Sequence, residues 1–131
     1  MRSCILTHRF RKSMPPDSVE AKILFDADKL DVTGAIGIAR TLKYKGDMAE
    51  PLYRVLPDGR ISDGTEDTQP SIFREYKFKL EKLYDRFFTE EGACLARQRQ
   101  SAAIAYYESL YREVCVGAVA GRQVLAAVLD P

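Results

Sequence analysis

Residues 20–40, EAKILFDADKLDVTGAIGIAR, constrain the fold more than any other stretch of the chain. Placed at about 100° per residue with Ala27 at zero, they bring Ile23, Leu24, Leu30, Gly34, Ala35, Gly37 and Ile38 within about 80° of Ala27. Phe25, Val32, Ile36 and Ala39 extend the apolar arc to roughly 180°, and Lys22, Asp26, Lys29, Thr33 and Arg40 form the one polar stripe. A helix apolar over about two-thirds of its circumference has to be wrapped by other helices. An all-α fold with this helix at its centre is therefore expected.

The flanking signals extend that reading. Asp17 with Glu20 three residues on has capping-box spacing, so the first helix should run from Ser18 to about Leu42, with Thr33-Gly34 as a kink or break. Phe73, Tyr76, Leu80, Leu83 and Phe87 form one helical stripe and place a second helix over about Ser71–Phe88. Thr89, followed by two glutamates, is a good N-cap for a third helix with the stripe Ala93, Ala96, Ala103, Tyr107, Leu110 and Val114, ending near Val116. Between the first two helices lies a long Gly/Pro-rich excursion, Lys43–Pro70, read either as a lid or binding loop or as a mobile surface insertion. Its Pro57-Asp58-Gly59 triplet is a turn signal for a small hairpin. Residues 1–116 form the expected domain, and 117–131 an apolar tail, read as a short helix after two glycines.

Composition narrows the chemistry. The net charge of +1 lacks the basic footprint of a general nucleic-acid binder. No apolar run approaches the length that spans a bilayer, and no secretory h-region opens the chain, so a cytoplasmic protein is the expectation. Cys4, Cys94 and Cys115 form neither a disulfide framework nor a zinc knuckle. His8 is the single histidine, whereas catalytic zinc sites usually draw on two or three imidazoles. Phosphate-loop, dinucleotide, zincin, EF-hand and nucleophile-elbow motifs are absent. Chemistry must rest on carboxylates, or on residues supplied by another chain.

Two carboxylates stand out. Asp31 at about +40° and Asp28 at about +100° fall inside the apolar arc, where an unpaired charge costs several kcal/mol. Either they accept hydrogen bonds from Arg, Tyr or backbone groups and fix helix packing, or they hold a metal or do chemistry. Asp26 points the other way, towards Lys22 and Lys29, into an expected solvated salt bridge. Gly34 and Gly37 suit a close helix approach.

The run EAKILFDADKLDVTGAIGIAR closely resembles the segment carrying the last aspartate of the HD-domain metal-dependent phosphohydrolases, whose bacterial members read DADRLDAIGAIGIAR there. ILTHRFR with PDSVEAKIL resembles the family's I-x-x-H-S-F-R and the start of its aspartate helix. KLEKLYDRFFTEEGACLARQR is similar to its KL-x-K-L…T-E…L-A-x-x-R. The resemblance covers about Cys4 to Val116 and implies an all-helical fold. It also implies hydrolysis of a phosphate ester or nucleotide phosphoanhydride, with a divalent metal activating water. Ala27-Asp28-Lys29-Leu30 matches the A-D-x-L context of the family's distant metal-ligating aspartate, which implies Asp28 as ligand and Asp31 as a supporting acceptor or packing acid. It also makes His8 a candidate for contacting substrate phosphate, against a surface or capping role. Lys79 is a further candidate, against simple solvation, although the family's histidine four positions earlier is Glu75 here.

The family's first His and its His-Asp pair would precede His8, and no other histidine replaces them. The resemblance is thus to the C-terminal portion of such an enzyme, a truncated or split hydrolase inactive alone and binding no metal tightly. A non-catalytic helical binding or dimerisation module is the alternative, and a remodelled, metal-free enzyme using Asp28, Asp31 and the lid a weaker third. The expected partner is a second copy or a missing N-terminal half. It would cover an apolar remainder centred on Phe25, Val32, Ile36 and Ala39.

Overall fold

The computed structural model describes residues 15–129, which form α1 (Val19–Leu30), α2 (Gly34–Asp47), α3 (Ile72–Glu75) continuing into a π turn (Tyr76–Leu80), and α4 (Glu90–Leu129). The fold is all-α, and α1, α2 and the α3–π unit are gathered around the N-terminal two-thirds of α4. Among the described residues, no helix is long and apolar enough to cross a membrane.

α1 is capped one position later than expected. Ser18 is extended (φ −94°, ψ 158°) and its Oγ accepts from the Ala21 amide at 3.2 Å. The break at Thr33-Gly34 is real. Thr33 turns its hydroxyl back to the Leu30 carbonyl (2.8 Å), and Gly34 adopts φ +67°, a left-handed value that favours glycine. A Cβ on Gly34 would lie 2.9 Å from Arg99 Cβ on α4, so the glycine also sets how closely α2 approaches. The Gly34 amide, left over by the break, donates to the Tyr84 hydroxyl at 2.9 Å.

The excursion after α2 is ordered against the core. Val55 and Ile61 make a single antiparallel bridge around the Pro57-Asp58-Gly59 turn, in which Gly59 takes φ +82°. Ile72 and Phe73 amides donate to the Pro51 and Leu52 carbonyls at 3.0 and 3.1 Å, tying the start of the loop to α3. Gly64 (φ +100°) passes so close to Phe73 that a Cβ there would lie 2.3 Å from the Phe73 carbonyl carbon.

The expected second helix is much shorter. Its stripe is correct, since Phe73, Tyr76, Leu80 and Leu83 are buried and Phe87 half-buried, but regular helix ends at Leu80. The π turn closes with the Glu81 amide on the Tyr76 carbonyl (2.8 Å), and the chain then reaches Thr89 through successive turns. Tyr76 stacks flat on Tyr107 at 4.0 Å, while Phe73 meets Tyr107 and Tyr111 edge-on at 5.4 and 5.8 Å. Burial pushes the Tyr76 phenol up to about 12, so it stays neutral inside this cluster.

Thr89 caps α4 as expected, its Oγ1 accepting from the Gly92 amide at 3.0 Å. α4 does not stop near Val116. It runs unbroken through Gly117 and Gly121 to Leu129, 40 residues or about 60 Å. A glycine costs a helix only about 1 kcal/mol relative to alanine, and the Ala, Val and Leu around these two outweigh it. Arg122 also donates to the Gly59 carbonyl, fastening this part of α4 to the hairpin turn.

The phase of α1 differs from the wheel. Ala21, Phe25 and Asp26 face the interior, whereas Ile23 (55% exposed), Leu24 and Ala27 face out. α1 therefore lies at the edge of the bundle, not at its centre. Phe25, expected in an exposed remainder, packs edge-on against Phe88 at 5.0 Å. Val32 is half-buried, and of that expected set only Ile36 (61% exposed) and Ala39 are exposed. A broad apolar arc cannot state which part of it meets the neighbouring helix, and here the side carrying Phe25 won.

Gly64→Ala should lower the urea-unfolding free energy by more than about 2 kcal/mol, because both its φ and the Phe73 backbone forbid a side chain. Gly121→Ala, which meets nothing within 4 Å, should raise it by roughly 0.5–1 kcal/mol. Equal effects of the two substitutions would contradict this packing.

Candidate phosphate-binding cleft

The three aspartates of DADKLD separate by role. Asp26 is 2% exposed and its carboxylate accepts from the Phe88 amide (2.9 Å), the Thr89 amide (2.7 Å) and Thr89 Oγ1 (2.6 Å). It therefore binds α1 to the start of α4, and no salt bridge to Lys22 or Lys29 forms among its interactions. Gly92 makes room for it: a Cβ there would lie 2.6 Å from Asp26 Oδ2. Asp28 and Asp31, expected in the buried arc, are exposed. Asp28 pairs with Lys29 and Asp31 with Arg40, each at 2.7 Å. The reason is the turned phase of α1, which puts Asp26 inward and so sends Asp28, about 200° further round, outward.

Asp28 and Asp31 line one cleft of about 310 Å³ between the end of α1, the start of α2 and the π turn. Lys79 lines it too, its Nζ held by Glu75 at 2.7 Å. The structure thus brings together three of the four site residues singled out in the sequence; His8 lies outside the described residues. Lys29, Arg40 and Arg86 also line the cleft, over apolar walls that include Phe78, Val32 and Leu83. Three of these cations are each paired with a carboxylate, Lys29 with Asp28, Arg40 with Asp31 and Lys79 with Glu75. Lys29 is held over the Phe25 ring at 4.7 Å.

Arg40 was missed as a site residue because it stands nine positions after Asp31, half a turn out of phase on a continuous helix. The break at Thr33 folds α2 back and brings the two within 2.7 Å. The ion pairs in the cleft are partly exposed, a class worth at most about 1 kcal/mol each, so an incoming phosphate can take over the cations at little cost. Among the described residues, no group of three or more His, Cys, Asp or Glu is arranged to hold a metal ion.

No protein-family profile matches the chain. It is 29% identical over 106 residues to the uncharacterized protein YpgQ of Bacillus subtilis, covering 81% of this chain and 45% of that one. The crystal structure of YpgQ in complex with ADP superposes with a TM-score of 0.60 at 31% identity, over 75% of this chain and 45% of that one. An HD-superfamily hydrolase from Bacillus thuringiensis superposes with a TM-score of 0.58 at 32% identity, over 73% and 46% of the two chains. The chain spans about half the length of these relatives, and its all-helical fold is one they share.

Replacing Asp28 or Asp31 by Asn should change unfolding stability by less than about 1 kcal/mol, as for other exposed pairs. Asp26→Ala should cost about 2–4 kcal/mol, since it strands three donors around a buried site. Guanidinium titrations of the three variants check the ranking, and a large loss at Asp31 with none at Asp26 would refute this assignment.

Proposed function

We propose that this chain forms one wall of the active-site cleft of an HD-type metal-dependent phosphohydrolase acting on a nucleotide or another phosphate ester. The observation that carries the reading is the convergence of Asp28, Asp31 and Lys79 with Arg40 on one cleft. The likeness to an HD-superfamily hydrolase and to YpgQ, which was crystallised with ADP, supports it. Phosphoryl transfer spreads charge over nonbridging oxygens, and a guanidinium with an ammonium beside it suits those oxygens. Arg40 and Lys79 would bind and orient the phosphate, while Phe78 and Val32 exclude water from one side of it.

The family's divalent metal needs more than these residues offer. Asp28 and Asp31 each supply one carboxylate, both engaged by cations, so the described residues do not by themselves fit a metal site. In this reading, the remaining ligands come from further polypeptide that packs on the outward residues Ile23, Leu24 and Ile36. Those same residues favour a second reading, a helical module that associates without catalysis.

Calorimetric titration of the chain with ADP should give saturable binding that Arg40→Ala or Lys79→Ala weakens about tenfold, close to the value of one charge-assisted contact. Manganese alone should give no stoichiometric micromolar site, and the chain alone should not hydrolyse ADP. ADP affinity untouched by both substitutions would remove the reading. Sedimentation should show self-association, or association with the missing portion, that Ile23→Lys with Ile36→Lys abolishes while helicity is kept. A monomer at high concentration that recruits no such portion would remove the proposed packing face.

A further inference from the structure

The last turns of α4 are apolar on every side. From Val116 to Leu129 only Arg122 and Gln123 are polar, and Val116, Val124, Leu125, Val128 and Leu129 are exposed, Leu129 at 72%. A helix of that composition is stable when its surface is buried. The same chain has a face that needs a cover, the outward residues Ile23, Leu24 and Ile36. Asp26, however, fixes α1 to Phe88 and Thr89, at the opposite end of α4. About 50 Å of straight helix separates Thr89 from Leu125, so no chain can lay its tail on its own α1. A second copy running antiparallel can.

One flank of α4 sets the register of such a pair. A groove of about 450 Å³ runs along it, lined by Ala102, Ala105, Tyr106, Ser109, Leu110 and Glu113. Glu113 is exposed and makes no ion pair among the described residues. Arg99 lies about four turns earlier on the same flank, exposed, with Nη1 turned to the Leu30 carbonyl. Parallel copies would set Glu113 against Glu113 and Arg99 against Arg99. Antiparallel copies related about Tyr106 set Glu113 against the partner's Arg99, twice over by symmetry. The same axis puts Leu95 (43% exposed) against the partner's Gly117, where a Cβ would meet nothing within 4 Å, and Ala102 against the partner's Leu110. A charge pair and two large-on-small pairs thus share one centre. In that register, residues 120–124 of the second copy lie level with residues 88–92, where Asp26 holds α1.

Resting on the outward packing face read above, we infer that in the chain by itself this face is covered by the distal α4 of a second copy, in a reciprocal antiparallel dimer.

Sedimentation equilibrium of the full chain should show the dimer. Leu125→Lys with Val128→Lys, both exposed in the single chain, should weaken it at least about tenfold while helicity by circular dichroism is kept. Mixing this variant with the Ile23→Lys, Ile36→Lys variant should restore a dimer, because the mixed pair keeps one of the two reciprocal contacts and neither variant keeps any alone. No restoration on mixing, or a dimer that the tail substitutions leave intact, would overturn the tail as occupant. If that intact dimer is lost with Ile23→Lys and Ile36→Lys, the packing face itself stands. A wild-type chain that is monomeric at high concentration would overturn the second copy, and the face would then rest on the missing portion alone.

Discussion

A carboxylate almost wholly removed from water must be met by donors, and Asp26 finds three of them where α4 begins. Two are backbone amides that the turns leading into α4 leave without carbonyl partners. The third, the Thr89 hydroxyl, uses its own oxygen to cap Gly92, so one side chain on α1 organises the whole entry to α4. The negative charge also lies at the positive end of a long helix. This contact, together with the burial of Ala21 and Phe25, sets the rotation of α1 about its axis. Every outward residue of α1, Asp28 included, takes its direction from it.

The second constraint is the break between α1 and α2. There the Thr33 hydroxyl donates to the Leu30 carbonyl and the Gly34 amide to the Tyr84 hydroxyl, and the break folds the polar ends of two helices towards each other. Asp31 and Arg40 then meet across the break, and the π turn brings Lys79 to the same place. A continuous helix would have spread these residues around its circumference. The cleft is thus a product of an interruption, with the glycine at position 34 permitting both the turn and the close approach of α4.

What could be read from the sequence follows the range of the forces involved. The Thr89 cap, the Thr33-Gly34 break, the hairpin at Gly59 and the buried stripe from Phe73 to Phe87 all rest on neighbours within a few residues, and all are visible in the pattern. Asp26 was not, because its local neighbours are two lysines while its actual partners lie 62 and 63 residues away. The misplacement of Asp28 and Asp31 follows from the same error, since one wrong phase turns every residue of a helix. The early end of the second helix was hidden because a stripe at three- and four-residue spacing persists through a π turn and the turns after it. The cleft was legible in its residue types, through the resemblance of DADKLD and Lys79, but its basic rim at Arg40 depended on the fold-back.

The far end of α4 holds a different kind of stability. Beyond Ala118 its side chains are exposed, so these turns draw on backbone hydrogen bonds and helix propensity and gain little from packing. Opening can start there without disturbing Tyr107 or Phe73, giving the helix a gradient of amide protection along its length. Arg122 interrupts the gradient, because its guanidinium is lodged on the Gly59 carbonyl. Fraying that passes this point must also release the hairpin turn. The turns after Arg122 can therefore open with the hairpin undisturbed, whereas opening past it takes one bond from the loop between α2 and α3.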